Sequence, residues 1–152
     1  RKLAPIAPPN ATQNHVIFFS PPILLLHTQA LYINAYFLRM TQMVQDLLQS
    51  LTQASFQFSD VLAYIDQHYH YTPTAFKNGA QYNQAGENQG SAKVFAFAQL
   101  HQLEHEQTLS LFAEHYVGVL ADPTGSSHPN IRQFMQHGWQ GIEFSGQALY
   151  AK

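Results

Sequence analysis

The sequence predicts a mainly α domain of the α+β class, a compact bundle of about five short helices with a small β-hairpin or short strands. Three observations predict it. Apolar residues recur at three- and four-residue spacing in several separate stretches. Turn-forming clusters such as Thr72-Pro73-Thr74 and Asp122-Pro123-Thr124-Gly125 punctuate those stretches and keep each helix short. One Asn-Gly pair, Asn78-Gly79, is the two-residue reversal that a hairpin favours. A chain of 152 residues accommodates one domain with a sizeable core.

Residues 1–39 stand apart from the rest. Val16 to Leu38 carries no charge, which superficially matches a membrane span, but Pro21-Pro22 interrupts it and Gln29 and Asn34 sit on its remaining apolar half. A secretory leader fits little better, because the apolar stretch is misplaced and broken by proline. The reading adopted is an upstream, non-native extension, signal-like or disordered, with the functional domain spanning 40–152 and starting at Met40 or Met43. Intact-mass analysis of protein from the native host checks it.

Within the domain, Met43, Leu47, Leu48 and Leu51 share one helical face, and Phe58, Val61, Leu62 and Ile65 share another after a cap at Ser59. The segment "AFKNGAQYN" predicts a hairpin. A helix beginning at the cap residue Ser91 buries Val94, Phe97 and Ala98, with Phe95 beside them. Leu109, Phe112, Ala113, Tyr116, Val117 and Leu120 follow one uninterrupted helical stripe. Pro129 falls in the first turn of a last helix containing Ile131, Phe134 and Met135 and closed by Gly138. Ile142-Glu143-Phe144 is the best short strand.

Composition narrows the chemistry. With no cysteine, the chain has no disulfide, thiolate zinc site, iron–sulfur cluster or cysteine nucleophile. Arg1, Lys2 and Arg39 are the charges of residues 1–40, whereas Lys77, Lys93, Arg132 and Lys152 face all nine acids in residues 41–152. So few cations cannot track a phosphate backbone, which argues against a nucleic-acid partner.

Four motifs invite functional readings. His68 and His70 suggest a metal pair with Asp66, yet at a helix end their side chains diverge, and both are read as capping that end. "HQLEH", His101 to His105, matches the H-x-x-E-H pattern of inverted zinc peptidases, which requires one continuous helix. Here Glu104 to Gln107 reads as the first turn of a new helix, so the histidines flank a joint. Gly86, Gly90, Ser91 and Lys93 resemble an anion cradle at a helix start, without a complete phosphate-loop pattern. Arg132 is expected to close a carboxylate pair with Asp66 or Glu87. No metal and no cofactor are assigned, and no catalytic set emerges. The candidate ligand-binding side chains are His70, Thr72, Asn78, Asn88, Ser91, Lys93, His128, Asn130 and Arg132, and the sharpest expectation is that Asn78 faces Lys93.

The stretches "YTPTAFKNG" (71–79), "NQAGENQGSAKVFAFAQLH" (83–101), "EQTLSLFAEHY" (106–116) and "HPNIRQFMQHGWQGIEF" (128–144) resemble, in order, the HopJ family of type III secretion effectors. The resemblance covers nearly all of residues 41–150. It implies a bacterial protein of the cytoplasm, or one delivered into a host cell by type III secretion, with a host or bacterial protein as partner. It supplies no catalytic residues. Two functions follow: a HopJ-type binding or interaction module without chemistry of its own, and a small-ligand binder or enzyme with a polar pocket around Lys93, Arg132 and His128.

Overall fold

The structure, a computed structural model, describes residues 21–53 and 55–152, with side chains from Thr28 onward. The expectations for residues 1–20 therefore lie outside the described residues. The chain divides into two compact units, Arg1–Phe37 and Leu38–Lys152. Helix α1, Pro21–Ser50, begins in the first unit, where Thr28–Phe37 are exposed. No helix among the described residues is long and apolar enough to cross a membrane.

In the second unit the last turns of α1 bury Val44 and Leu47. Helix α2, Phe58–His68, starts one residue ahead of the predicted Ser59 cap. The Gln57 N–H donates to the Asp60 carboxylate (2.8 Å) and the Phe58 N–H to the Glu114 carboxylate (2.7 Å), so acids rather than a serine hydroxyl satisfy the free amides of this first turn. Strand β1, Tyr69–Tyr71, continues directly from α2 and pairs antiparallel with β5, Leu149–Ala151. The predicted hairpin forms as β2, Phe76–Asn78, and β3, Gln81–Asn83, with Asn78 opposite Gln81 and Gly79 at φ 57 in the turn. A side chain at Gly79 would collide with Gln133 and His137, so glycine is required there for space as well as for backbone sign. Strand β4, Ile142–Phe144, adds to the other edge of β2.

Helix α3, Gln89–Leu100, is the axis of the core: Ala92 and Val94–Ala98 are all buried. A helix apolar on every side requires cover on every side. Phe95 meets Phe76, Phe112 and Phe134, and Phe97 meets Tyr64, Tyr69 and His101. Each such ring taken out of water contributes roughly 1.5–3 kcal/mol.

The uninterrupted stripe predicted from Leu109 to Leu120 is corrected. The chain forms α4, His105–Ser110, then a turn, then α5, Glu114–Ala121, with Ala113 at φ 45 and ψ −123 in the break. Packing explains it. Leu111 is buried alongside Leu109 and Phe112, although one straight helix would turn it off the face those two share, and beyond the break Val119 is buried while Val117 and Leu120 are exposed. The last helix, α6, spans Pro129–His137 with Pro129 in its first turn, and Gly138 ends it at φ 55. Trp139 donates its indole N–H to the Leu103 carbonyl (2.9 Å) and packs edge-on against Phe134.

Candidate functional site

Helices α3 and α6 begin side by side, and both begin unusually. Their N-cap residues, Asn88 (φ 45, ψ 43) and His128 (φ 53, ψ 55), are left-handed, and neither caps its helix with its side chain. Asparagine tolerates this conformation through its short polar side chain, and Pro129 disfavours right-handed backbone at the residue before it. Between these helix starts, Phe58 and the α4–α5 break lies a cleft of about 300 Å³ lined by Asn88, Gly90, Ser91, His128, Asn130 and Ile131 from the helix starts and by Phe58, Phe112 and His115.

Its aromatic wall is continuous. Phe58 stacks on Phe112 with ring centres 5.7 Å apart, the His115 imidazole meets Phe58 edge-on at 4.8 Å, and His115 stacks on His128 at 4.7 Å. Phe58 can lie this close because position 90 is glycine: a Cβ there would sit 3.1 Å from the Phe58 ring. Glu114 fixes the corner, accepting from the Phe58 N–H at 2.7 Å and standing 3.8 Å from the His115 Nε2. Of the four non-glycine residues at positive φ among the described residues, Asn88 and His128 line this cleft, Ala113 follows its lining residue Phe112, and Gln102 lies past the other end of α3. Strained backbone of this kind costs on the order of 1–3 kcal/mol per residue and concentrates at functional sites.

Behind the cleft sits a cluster of buried asparagines, Asn78 and Asn83 at 0% exposure and Asn130 at 3%. Asn130 Nδ2 donates to Asn83 Oδ1 (2.8 Å), and Asn130 Oδ1 accepts from both Asn83 Nδ2 and Asn78 Nδ2 (3.2 Å each). Asn78 also donates to the Asn130 backbone carbonyl (2.7 Å), and Asn88 joins the cluster by donating to Asn83 Oδ1 (2.7 Å). The hairpin, the start of α3 and the start of α6 are thereby tied together. Such bonds are strong in a dry interior.

The structure thus brings Asn88, Ser91, His128 and Asn130 to one concavity, with Asn78 behind them. It sends the others elsewhere. Lys93 does not face Asn78: its ammonium lies 2.7 Å from Asp66 Oδ1 and 2.8 Å from Oδ2 and sits over the Tyr71 ring at 5.3 Å. The burial of Tyr71 under this pair pushes its hydroxyl above the usual tyrosine range. Arg132 makes no pair with Asp66 or Glu87. Its guanidinium donates to the carbonyls of Ser127 (2.7 Å), Asp122 (2.8 Å) and Pro123 (3.3 Å), wrapping the turn before α6, while Glu87 accepts the Gln84 N–H (2.9 Å). The planar fork suits three converging carbonyls better than it suits a distant carboxylate.

The two histidines of the first motif separate. His68 donates from Nδ1 to the Tyr64 carbonyl (2.8 Å) and so caps α2, but His70 stands exposed on β1 opposite Tyr150 and caps nothing. Thr72 is exposed beside it and its N–H donates to the Ala148 carbonyl (2.8 Å). In "HQLEH", His101 ends α3 and His105 opens α4. His101 Nε2 lies 2.6 Å from the Tyr69 hydroxyl, whereas His105 Nε2 lies 3.0 Å from the Phe134 carbonyl. Burial holds His101 below the usual histidine range.

The family model for the HopJ type III effector protein matches residues 44–149. The chain belongs to the HopJ family. The crystal structure of VPA0580, a protein of unknown function, is similar to it, with 43% identity, a TM-score of 0.66, and coverage of 71% of this chain and 92% of that one. No curated protein matches. In this HopJ domain the sequence reading missed Phe58, Phe112 and His115. Phe58 read as an ordinary core position and Phe112 and His115 as members of an unbroken helix. The signal available was the glycine at 90, which makes room for a ring.

Proposed function

We propose that this HopJ-family protein acts by binding, as an effector-like recognition module, and that the cleft at the starts of α3 and α6 is its recognition site. The observation that carries the reading is the division of labour among the polar side chains. Asn88, Ser91 and His128 come to one aromatic-walled cleft from two helix starts, while the side chains best able to drive chemistry, Lys93 and Arg132, are held by Asp66 and by backbone carbonyls. Ligand sites commonly combine apolar and aromatic walls with a few placed polar groups, and volumes of roughly 300–1,000 Å³ are usual. The two lining residues at positive φ, Asn88 and His128, support the same reading. The family supports delivery by type III secretion into a host cell.

A thermal-shift screen against metals, phosphates, small acids, amines and neutral heterocycles tests the binding reading, since a ligand selective for the native state raises the melting temperature. A ligand that stabilises the wild type and not His128→Gly is expected. Silence across the whole panel would overturn the reading. Translocation of a fused adenylate-cyclase reporter into host cells tests delivery, with a secretion-deficient strain as the negative control.

A further inference from the structure

We propose that the cleft takes a neutral, flat heteroaromatic group of one or two rings, stacked on the His128 imidazole and paired along its edge with Asn88 and Ser91. This rests on the reading of the cleft as a recognition site and names what it recognises. The aromatic ladder supplies the first argument. His115 covers one face of His128 at 4.7 Å and is itself braced by Phe58 at 4.8 Å, while His128 as a residue is exposed. An imidazole braced on one face by a second ring, in a residue that is itself exposed and lines the cleft, is a preorganised stacking platform, and ring-on-ring contact is tolerant of which heterocycle is bound.

The second argument is hydrogen-bond complementarity. Asn88 spends its Nδ2 on Asn83, and its Oδ1 takes no partner among the described residues; the Ser91 hydroxyl, three residues on, takes none either. An acceptor and a hydroxyl on the first turn of one helix match an edge that carries a donor next to an acceptor, as ring amides and amino-heterocycles do. The asparagine cluster behind them holds Asn88 in place, so little side-chain freedom is lost on binding.

Charge narrows the ligand further. An anionic ligand needs a cation that is free to meet it. Lys93 is paired with Asp66, Arg132 is turned to three carbonyls, and the Glu114 carboxylate contacts the aromatic wall at Phe58 and His115. A phosphate or carboxylate in the cleft would find no lysine or arginine in its lining, and the Glu114 carboxylate beside Phe58 and His115 disfavours a second negative charge nearby. A neutral ring avoids that cost, and the modest volume of about 300 Å³ limits it to one or two rings.

The test titrates nicotinamide and adenine, with cyclohexanecarboxamide as the neutral saturated control, into the full chain while recording the Asn88 side-chain amide, the Ser91 backbone amide and the His115 and His128 ring resonances. The heteroaromatic probes are expected to shift these signals and the saturated control to leave them unmoved. His128→Gly removes the platform while suiting the left-handed backbone, so the fold is kept, and affinity should fall roughly tenfold. Ser91→Ala, which sacrifices no internal hydrogen bond, should weaken both probes as well. Equal binding of the saturated control, or affinity unchanged in His128→Gly, would overturn the proposed ligand class while leaving a cleft that binds. Absence of any shift from either heteroaromatic probe overturns it too; the recognition reading falls with it only if the broader thermal panel is also silent.

Discussion

The two ends of α3 are built on opposite plans. At and just beyond its C-terminal end three polar groups are closed off against their neighbours: His101 meets the Tyr69 hydroxyl, Trp139 caps the Leu103 carbonyl, and His105 reaches the Phe134 carbonyl. At its N-terminal end the N-cap is left-handed, no side chain caps the helix, and the first turn opens onto a cleft. Uncapped helix amides and positive φ values are expensive. Gln102, just past the closed end, has a positive φ as well, so the two ends differ in their partners rather than in backbone sign: one is closed by side-chain hydrogen bonds and the other faces the cleft.

The largest expected effect breaks the closed end. Phe97→Ala removes a ring that meets Tyr64, Tyr69 and His101, and should cost about 3–5 kcal/mol in urea unfolding. If it costs no more than a surface substitution, the closed end does not carry the stability. Next comes the junction behind the cleft. Asn130→Ala strips Asn83 and Asn78 of shared partners in a dry site and should cost about 1–3 kcal/mol, read by the same denaturation. A neutral result would mean that water replaces the lost amide.

The open end should respond in the other direction. Ala113→Gly relieves a backbone at φ 45 and ψ −123 that glycine adopts without penalty, and should raise stability by about 1 kcal/mol with the cleft intact. A loss of stability would show that Ala113 is not strained in solution. The smallest effect is a slope. Burial lowers the folded-state pKa of His101, so the unfolded chain binds the proton first, and this residue's contribution weakens as pH falls below about 6.5, levelling once pH lies below the folded value. His101→Gln, which can still accept the Tyr69 hydroxyl, should flatten part of the acid dependence of the melting temperature and change little at pH 8. An unaltered acid slope would remove His101 from the account.

Much of this was legible before any coordinates. Helical spacing placed α2, α3 and α6, the Asn-Gly pair placed the hairpin, Pro129 and Gly138 bracketed the last helix, and Glu104 to Gln107 marked a new start inside "HQLEH". These are local signals, set by backbone sterics and by the period of apolar residues. Strands β1 and β5 were illegible because three-residue strands hold no period of their own and exist only through pairing across the chain. The break at Ala113 was illegible for a related reason. Nothing in residues 109–120 objects to one helix; the break goes with the burial of Leu111, which a straight helix would turn off the stripe of Leu109 and Phe112.

The site divides along the same line. Residue types and helix starts were enough to single out Asn88, Ser91, His128 and Asn130 in the sequence. Which of the polar candidates would be left free for a ligand was decided by tertiary contacts alone, because a charge is neutralised by whatever lies beside it in space. Asp66, twenty-seven positions away in the chain, took Lys93, and three carbonyls of one turn took Arg132. Sequence determined the helices and their ends through local sterics and apolar period; only the folded chain, by bringing Phe58 and His115 up to Gly90 and His128, decided that two of those ends make an aromatic cleft.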